Sequence, residues 1–215
     1  MRYSWRNYND SCPARHYLLN IGIDKPFTEL EQGQIHFGVH VIPTITAQFH
    51  KVPLGPCQRV FIMRKRHPLA QQKVVHLHDL TQYPVALHDF SRLNGSGNSL
   101  IERVLKQHNL QLNLRARVAD CQALYASLLS GNTIAYTSTL ALPDDLSDYV
   151  LLAAPKPLTQ VQTQYCLYIA SQRYGSQETS YISDLIYTCF QQLYDQQTRP
   201  EIAQVLTTQN NLLKA

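Results

Sequence analysis

The sequence predicts an α/β fold, and three features of it carry that expectation. Short apolar runs of strand length alternate with stretches whose apolar residues recur at helical spacing. Glycine and proline separate the two kinds of segment. No internal repeat is evident that would point to an array. Such alternation favours parallel sheets joined by right-handed crossovers over a hairpin-rich sandwich or a helix bundle.

Taken in chain order, Tyr17 to Ile23 reads as a strand, and Asp24-Lys25-Pro26 opens a short helix from Phe27 that should stop at Gly33. Ile35 to Val41 and Arg59 to Met63 are buried-strand runs, and Pro43, Pro53, Gly55 and Pro56 should break any long element between them. The pattern then restarts with a strand at Val85 to Leu87, a polar turn over Asn94 to Asn98 and a helix from Ser99. Ser99 and Glu102 have capping-box spacing, while Leu100, Ile101, Val104 and Leu105 form an apolar stripe. A strand over Leu110 to Val118 precedes a helix carrying Cys121, Leu124, Tyr125, Leu128 and Leu129 on one face, ended by Gly131. Thr133 to Thr137 is a further strand and Pro155 with Pro157 marks a junction. Tyr165 to Ala170 is a strongly apolar strand, and Thr179 to Gln192 a helix. The polar tail after Pro200 is expected to fray.

A chain of 215 residues accommodates one large domain or two small α/β lobes sharing a covalent hinge. With 44% hydrophobic and 16% charged residues it can bury a core, which excludes a disordered segment. The net charge is +4, but apart from Arg64-Lys65-Arg66 the cations are scattered, so nucleic acid is not an expected direct partner. Five widely separated cysteines with no Cys-x-x-Cys pair argue against a disulfide framework. The opening residues, rich in Arg, Tyr, Trp and Asn, offer no apolar signal segment, and no run reaches bilayer length. A soluble cytoplasmic protein without membrane contact is the expectation.

His36 with His40, and His76 with His78, share strand parity, but no cysteine or carboxylate completes a tetrahedral set, so no metal is expected. Gly95-Ser96-Gly97 has the glycines of a phosphate loop without its lysine-serine ending, and reads as a flexible turn. Asp89 and Asp144-Asp145, with His88 alongside, could supply acid-base groups. No Gly-x-Ser-x-Gly or Cys-His arrangement supports them, so neither catalysis nor a cofactor is expected.

The stretch from Arg59 through His67-Pro68-Leu69-Ala70, with Leu77 to Leu80 and Tyr83-Pro84-Val85 behind it, resembles the centre of the effector domain of LysR-type transcriptional regulators. Leu30 to Val39 is similar to that family's Leu-x-x-Gly-x-Leu-Asp segment, with His36 in place of the aspartate. Leu128 to Ala135 is similar to its helix-Gly-x-Gly-Ile-Ala turn, with Thr133 in place of the second glycine. The resemblance runs in order from about Pro13 to Leu193.

The resemblance implies two Rossmann-like lobes joined by a two-segment hinge, as in type II periplasmic binding proteins. Residues 1–66 and 164–215 would form lobe I and residues 67–163 lobe II, with hinge segments at Arg64 to His67 and Pro157 to Gln164. It also implies a small-molecule effector, a homodimer that becomes a tetramer in the full-length regulator, and contact with DNA only through a winged helix-turn-helix absent from this chain. Ligands in open α/β sheets sit at the carboxyl ends of strands. That rule nominates His40, Thr44, His88, Ser91 and Asp120 as effector contacts in the interlobe cleft, each of which could equally cap a helix or sit in a loop. The alternative on the same scaffold is the solute-binding protein of a transport system.

Overall fold

The computed structural model describes residues 28–41, 48–88, 99–118, 120–160, 163–195 and 199–214. The expected strand at Tyr17 to Ile23 and the turn at Asn94 to Asn98 lie outside the described residues. Helix α1 (Thr28–Glu31) precedes strands β1 (Phe37–His40), β2 (Phe49–Pro56) and β3 (Arg59–Arg64). Helix α2 (Asp79–Gln82), β4 (Val85–His88), α3 (Leu100–Gln107), β5 (Leu114–Val118), α4 (Cys121–Ser127), β6 (Ile134–Ser138), β7 (Tyr149–Leu152) and α5 (Lys156–Thr159) follow. The chain continues through β8 (Gln164–Ala170), α6 (Gln177–Asp195) and α7 (Pro200–Lys214).

The strands form two sheets, one ordered β1-β8-β2 and one ordered β5-β4-β6-β3-β7. Only β5-β4-β6 is parallel, as the alternation of elements predicted. β3 runs antiparallel to β6 and β7, and the three-stranded sheet is antiparallel throughout. The fold is therefore α/β with mixed sheets.

Strand parity builds the core on both faces of the larger sheet. Phe61, Met63, Val85, Leu87 and Tyr136 point to one side, where they meet Leu100, Ile101 and Leu105 of α3 and Leu158 of α5. Val60, Ile62, Ala86 and Ala135 point to the other, against Leu124 of α4 and Ile202 and Val205 of α7. In the smaller sheet Leu54, Leu167 and Ile169 pack on Ile186 and Phe190 of α6, while Cys166 and Tyr168 face Leu30.

Two expectations about the chain's organisation meet a different arrangement. Arg59–Arg64, grouped by sequence with lobe I and residues 1–66, pairs with β6 and β7 in the larger sheet. The segment after Pro200 does not fray: it is helical, and Ile202 and Val205 are buried against that same sheet. Ile202 and Val205, with Leu206 and Leu212 packed partly buried beside them, dock a helix whose other positions are largely glutamine, asparagine and threonine. Similarly, Pro53, Gly55 and Pro56 do not prevent a strand. β2 lies at the sheet edge, where proline costs no ladder bond, and absorbs the irregularity as a register shift between Pro53 and Gly55.

The predicted capping box is present at α3. The Ser99 hydroxyl accepts from the Glu102 amide at 3.3 Å, and the Glu102 carboxylate accepts from the Ser99 amide at 2.7 Å. Glu102 also pairs with Arg117 on β5, tying the cap to the sheet. Replacing Ser99 with alanine should cost about 1 kcal/mol. Chemical denaturation would show it as a lower midpoint with an unchanged slope.

Candidate functional site

The carboxyl ends of the parallel strands gather at one edge of the larger sheet. β4 ends at His88, opposite Val118 of β5, and β6 ends at Ser138. Arg59, the first residue of antiparallel β3, lies opposite Ser138 and so stands at that edge too. In the smaller sheet β1 ends at His40, opposite Cys166, and β2 ends at Pro56, opposite Gln164.

The chain passes between the sheets at Cys57 and Gln58, and returns between Gln160 and Thr163. The two crossings are bonded to each other, since the Cys57 amide donates to the Thr163 carbonyl at 2.8 Å. Thr139, just past β6, donates its amide to the Gln58 carbonyl at 2.9 Å. This bonded pair of crossings has the place of a hinge between two sheets that each have their own core, and the chain passes between them once more from α6 on the smaller sheet to α7 on the larger.

A cavity of about 1040 Å³ wraps this hinge, and Lys51, Cys57, Arg59, Tyr136, Thr163 and Gln209 are among its walls. Arg59 is half-buried and lies against the Tyr136 phenol, with Tyr165 and Cys57 beside it. Burial alone would weaken the guanidinium's hold on its proton, but the neighbouring sulfur and phenol groups outweigh it and raise the Arg59 pKa. Burial pushes the Tyr136 hydroxyl up to about 12 and the Tyr165 hydroxyl well above its usual range, so both are neutral hydrogen-bonding groups at physiological pH. Tyr165 also packs with Val41 and Cys57, closing the site on the side of the smaller sheet.

Of the five residues nominated by sequence, Thr44 and Ser91 lie outside the described residues. His40 and His88 are buried at the strand ends expected of them, one on each sheet. Asp120 caps α4, its carboxylate accepting from the Ala123 amide at 2.8 Å. None of these three lines the cavity at the hinge.

Arg59 and Tyr136, which do line it, and Tyr165, which stands beside Arg59, were not among the five. Their signal in the sequence is a polar side chain interrupting an apolar strand, in Arg59-Val60-Phe61-Ile62, Ile134-Ala135-Tyr136 and Tyr165-Cys166-Leu167.

Asp89 lies outside the described residues, and the described members of the acid-base and metal patterns do not come together. Asp145 spends both carboxylate oxygens on Ser147, at 2.8 and 3.0 Å, in an exposed turn. His76 and His78 are exposed in the turn before α2, and His36 is exposed ahead of β1. Among the described residues no group of three His, Cys, Asp or Glu side chains comes together, and no helix is long and apolar enough to cross a membrane.

Comparison with known proteins agrees with this geometry. No curated protein matches the sequence. Among solved structures, the chain is similar to the regulatory domain of MetR, a LysR family regulator from N. meningitidis. The TM-score is 0.61 at 16% identity, covering 76% of this chain and 74% of that one. The effector binding domain of QuiR in complex with shikimate aligns with TM-score 0.61 at 16% identity, over 79% of this chain and 78% of that one. HinK, a LysR family transcriptional regulator from Pseudomonas aeruginosa, aligns with TM-score 0.61 at 16% identity over 79% of this chain, which spans only 56% of HinK. At such identities these likenesses establish the fold. The family is settled by the sequence itself, because the model of the LysR substrate binding domain matches residues 15–186, most of the chain, and the chain therefore belongs to the LysR substrate-binding-domain family.

Proposed function

We propose that this chain senses a small-molecule effector for a LysR-type transcriptional regulator by binding it between the two sheets, and that it acts through shape without catalysing a reaction. The observation that carries this reading is the hinge cavity, walled by both sheets and by the two bonded crossings between them. A ligand held there favours one arrangement of the sheets over another by its difference in affinity for the two.

In this reading the lobes divide at Cys57 and Gln58, again at residues 160–163 and a third time between α6 and α7, so β3 and α7 belong with the second lobe. Within this proposal His40, His88 and Asp120 stand at the strand-end rim of the cleft between them. The lobes of one copy pack against those of a second in an isologous cytoplasmic homodimer, and DNA is engaged through a winged helix-turn-helix of the full regulator.

Thermal melting against a panel of sugars, amino acids, aromatic acids and aliphatic acids tests the reading. At least one compound should raise the midpoint, by about 5–10 °C at a hundredfold excess over Kd. The same compound should reduce the radius of gyration measured by small-angle scattering. A panel without any response overturns effector binding. Light scattering should give twice the 24.6 kDa chain mass, and a monomer at high concentration would count against the dimer.

A further inference from the structure

We infer that the hinge cavity takes a small carboxylate and that Arg59 is the residue that holds it, an inference that rests on the reading of this cavity as the effector site. The first support is charge. Among the described residues the walls carry two cations, Lys51 and Arg59, and no aspartate or glutamate. Among the described residues no carboxylate lies within ion-pairing distance of Arg59, whereas Arg64 and Arg117 have Asp148 and Glu102.

A guanidinium has five N–H donors, and placing it among Tyr136, Tyr165 and Cys57 strips water from it without supplying an anion. A cleft lined by one sign of charge raises the local concentration of opposite charge. The planar fork of arginine matches a carboxylate by two parallel hydrogen bonds.

The second support is unused hydrogen-bonding capacity in the same walls. Among the described residues the buried Thr163 hydroxyl and the Gln209 side-chain oxygen have no hydrogen-bond partner. The Gln209 amide nitrogen donates to the Arg59 carbonyl at 3.1 Å, which leaves its oxygen as an acceptor. Buried polar groups without partners are uncommon in folded proteins and call for a ligand or water. A carboxylate on Arg59 gives the Thr163 hydroxyl an acceptor, and a hydroxyl on the same ligand gives Gln209 a donor.

The position of Arg59 links binding to geometry. It begins β3 immediately after the crossing at Cys57 and Gln58, so an anion drawn to it pulls on the joint between the sheets. Tyr165, carried by the smaller sheet, already stands beside Arg59, so the site joins both sheets.

Melting curves of the intact chain test this with shikimate, benzoate and glutarate, each paired with its methyl ester, and with sodium sulfate and phosphate at matched ionic strength. At least one acid should raise the midpoint by about 5–10 °C at a hundredfold excess over Kd while its ester leaves it within a degree. Arg59→Met should abolish that shift yet melt at or above the native temperature without ligand, since it removes a desolvated unpaired charge.

An ester that stabilises as well as its acid, or sulfate or phosphate that does as well as any carboxylate, overturns the inference. So does an Arg59→Met protein that keeps the acid response. The acid-ester comparison uses only the native chain, so it decides the matter even where Arg59→Met fails to fold. Stabilisation by neutral compounds alone would leave the effector site standing and remove the carboxylate. Silence across every compound, including sugars and amino acids, would remove both.

Discussion

Replacing Gly55 with alanine is expected to destabilise the protein by about 2–6 kcal/mol and to loosen α6 from the end of β2. Two independent penalties add at this position. The backbone sits at φ +149°, a region that side chains avoid, which costs about 1–3 kcal/mol. An ideal Cβ there would also lie 2.5 Å from Cε2 and 2.8 Å from Cζ of Tyr194, so the ring must swing away. That movement breaks the bond from the Tyr194 hydroxyl to the Pro56 carbonyl at 2.6 Å and disturbs the contact with Phe190, whose ring centroid is 6.4 Å away. Overpacking of this kind adds about 1–3 kcal/mol.

Gln191 bonds the Leu54 carbonyl at 3.1 Å, one residue before the glycine, so α6 is anchored on both sides of Gly55. A double-mutant cycle separates the two penalties. With Tyr194→Ala in place, Gly55→Ala should cost only the backbone share, about 1–3 kcal/mol. A Gly55→Ala single variant within about 0.5 kcal/mol of the native protein, the scatter of a neutral surface change, would refute the close approach.

The difference between what the sequence revealed and what it concealed follows from where each element gets its stability. α3 was legible because its determinants are local: Ser99 and Glu102 are three residues apart, and the buried stripe at Leu100, Ile101, Val104 and Leu105 is periodic. β4 and β3 were legible because burial on both faces demands continuous apolar runs.

β2 and β7 escaped because their identity is tertiary. β2 is an edge strand tolerating prolines that a central strand would reject, and β7 is four residues long, placed by pairing with β3. α7 escaped because its apolar residues are interspersed with glutamine, asparagine and threonine, and only the docked sheet shows that Ile202 and Val205, flanked by Leu206 and Leu212, hold it.

The site was legible as a region and concealed in detail. The rule that ligands collect at strand ends led to His40 and His88, which do end strands on the two sheets. Arg59, Tyr136 and Tyr165 come from three strands spread over more than half the chain, and each looks locally like an imperfect core position. Nothing in local spacing could announce that antiparallel pairing sets Arg59 opposite Ser138, beside Tyr136.

Acid should weaken this protein well before its carboxylates titrate, because two buried histidines are held neutral. His40 is 8% exposed and burial lowers its pKa to about 4, and His67 is 3% exposed with its pKa lowered chiefly by burial. In both, Nδ1 is an acceptor, for the Val41 amide at 2.9 Å and for the Leu69 amide at 3.1 Å. A proton arriving on either ring must take that lone pair and turn an acceptor toward a donor. His40 faces Cys166 across the ladder, while His67 has the Tyr83 ring at 4.9 Å and Asp79 nearby, whose charge only partly offsets burial.

A histidine whose folded pKa lies below its unfolded value of about 6.5 contributes stability that is fully present above that value. The contribution is lost as pH falls toward the folded pKa, because the unfolded chain binds the proton first. For His40 the loss should reach about 2 kcal/mol by pH 5 and level off near pH 4, a slope of about 1.4 kcal/mol per pH unit, with His67 adding in the same direction.

Glu102 and Asp145 are held below the usual carboxylate range, Glu102 because its bonds to Arg117 and Ser99 outweigh burial, and Asp145 by its bonds to Ser147. Their own losses therefore come at lower pH. Urea midpoints measured from pH 7 to 5 should fall steadily in the native protein, less steeply in His40→Gln, and least in His40→Gln with His67→Gln. An equal slope in all three would show that these rings take up protons alike in the folded and unfolded chain, and that the two acceptor bonds do not hold them neutral.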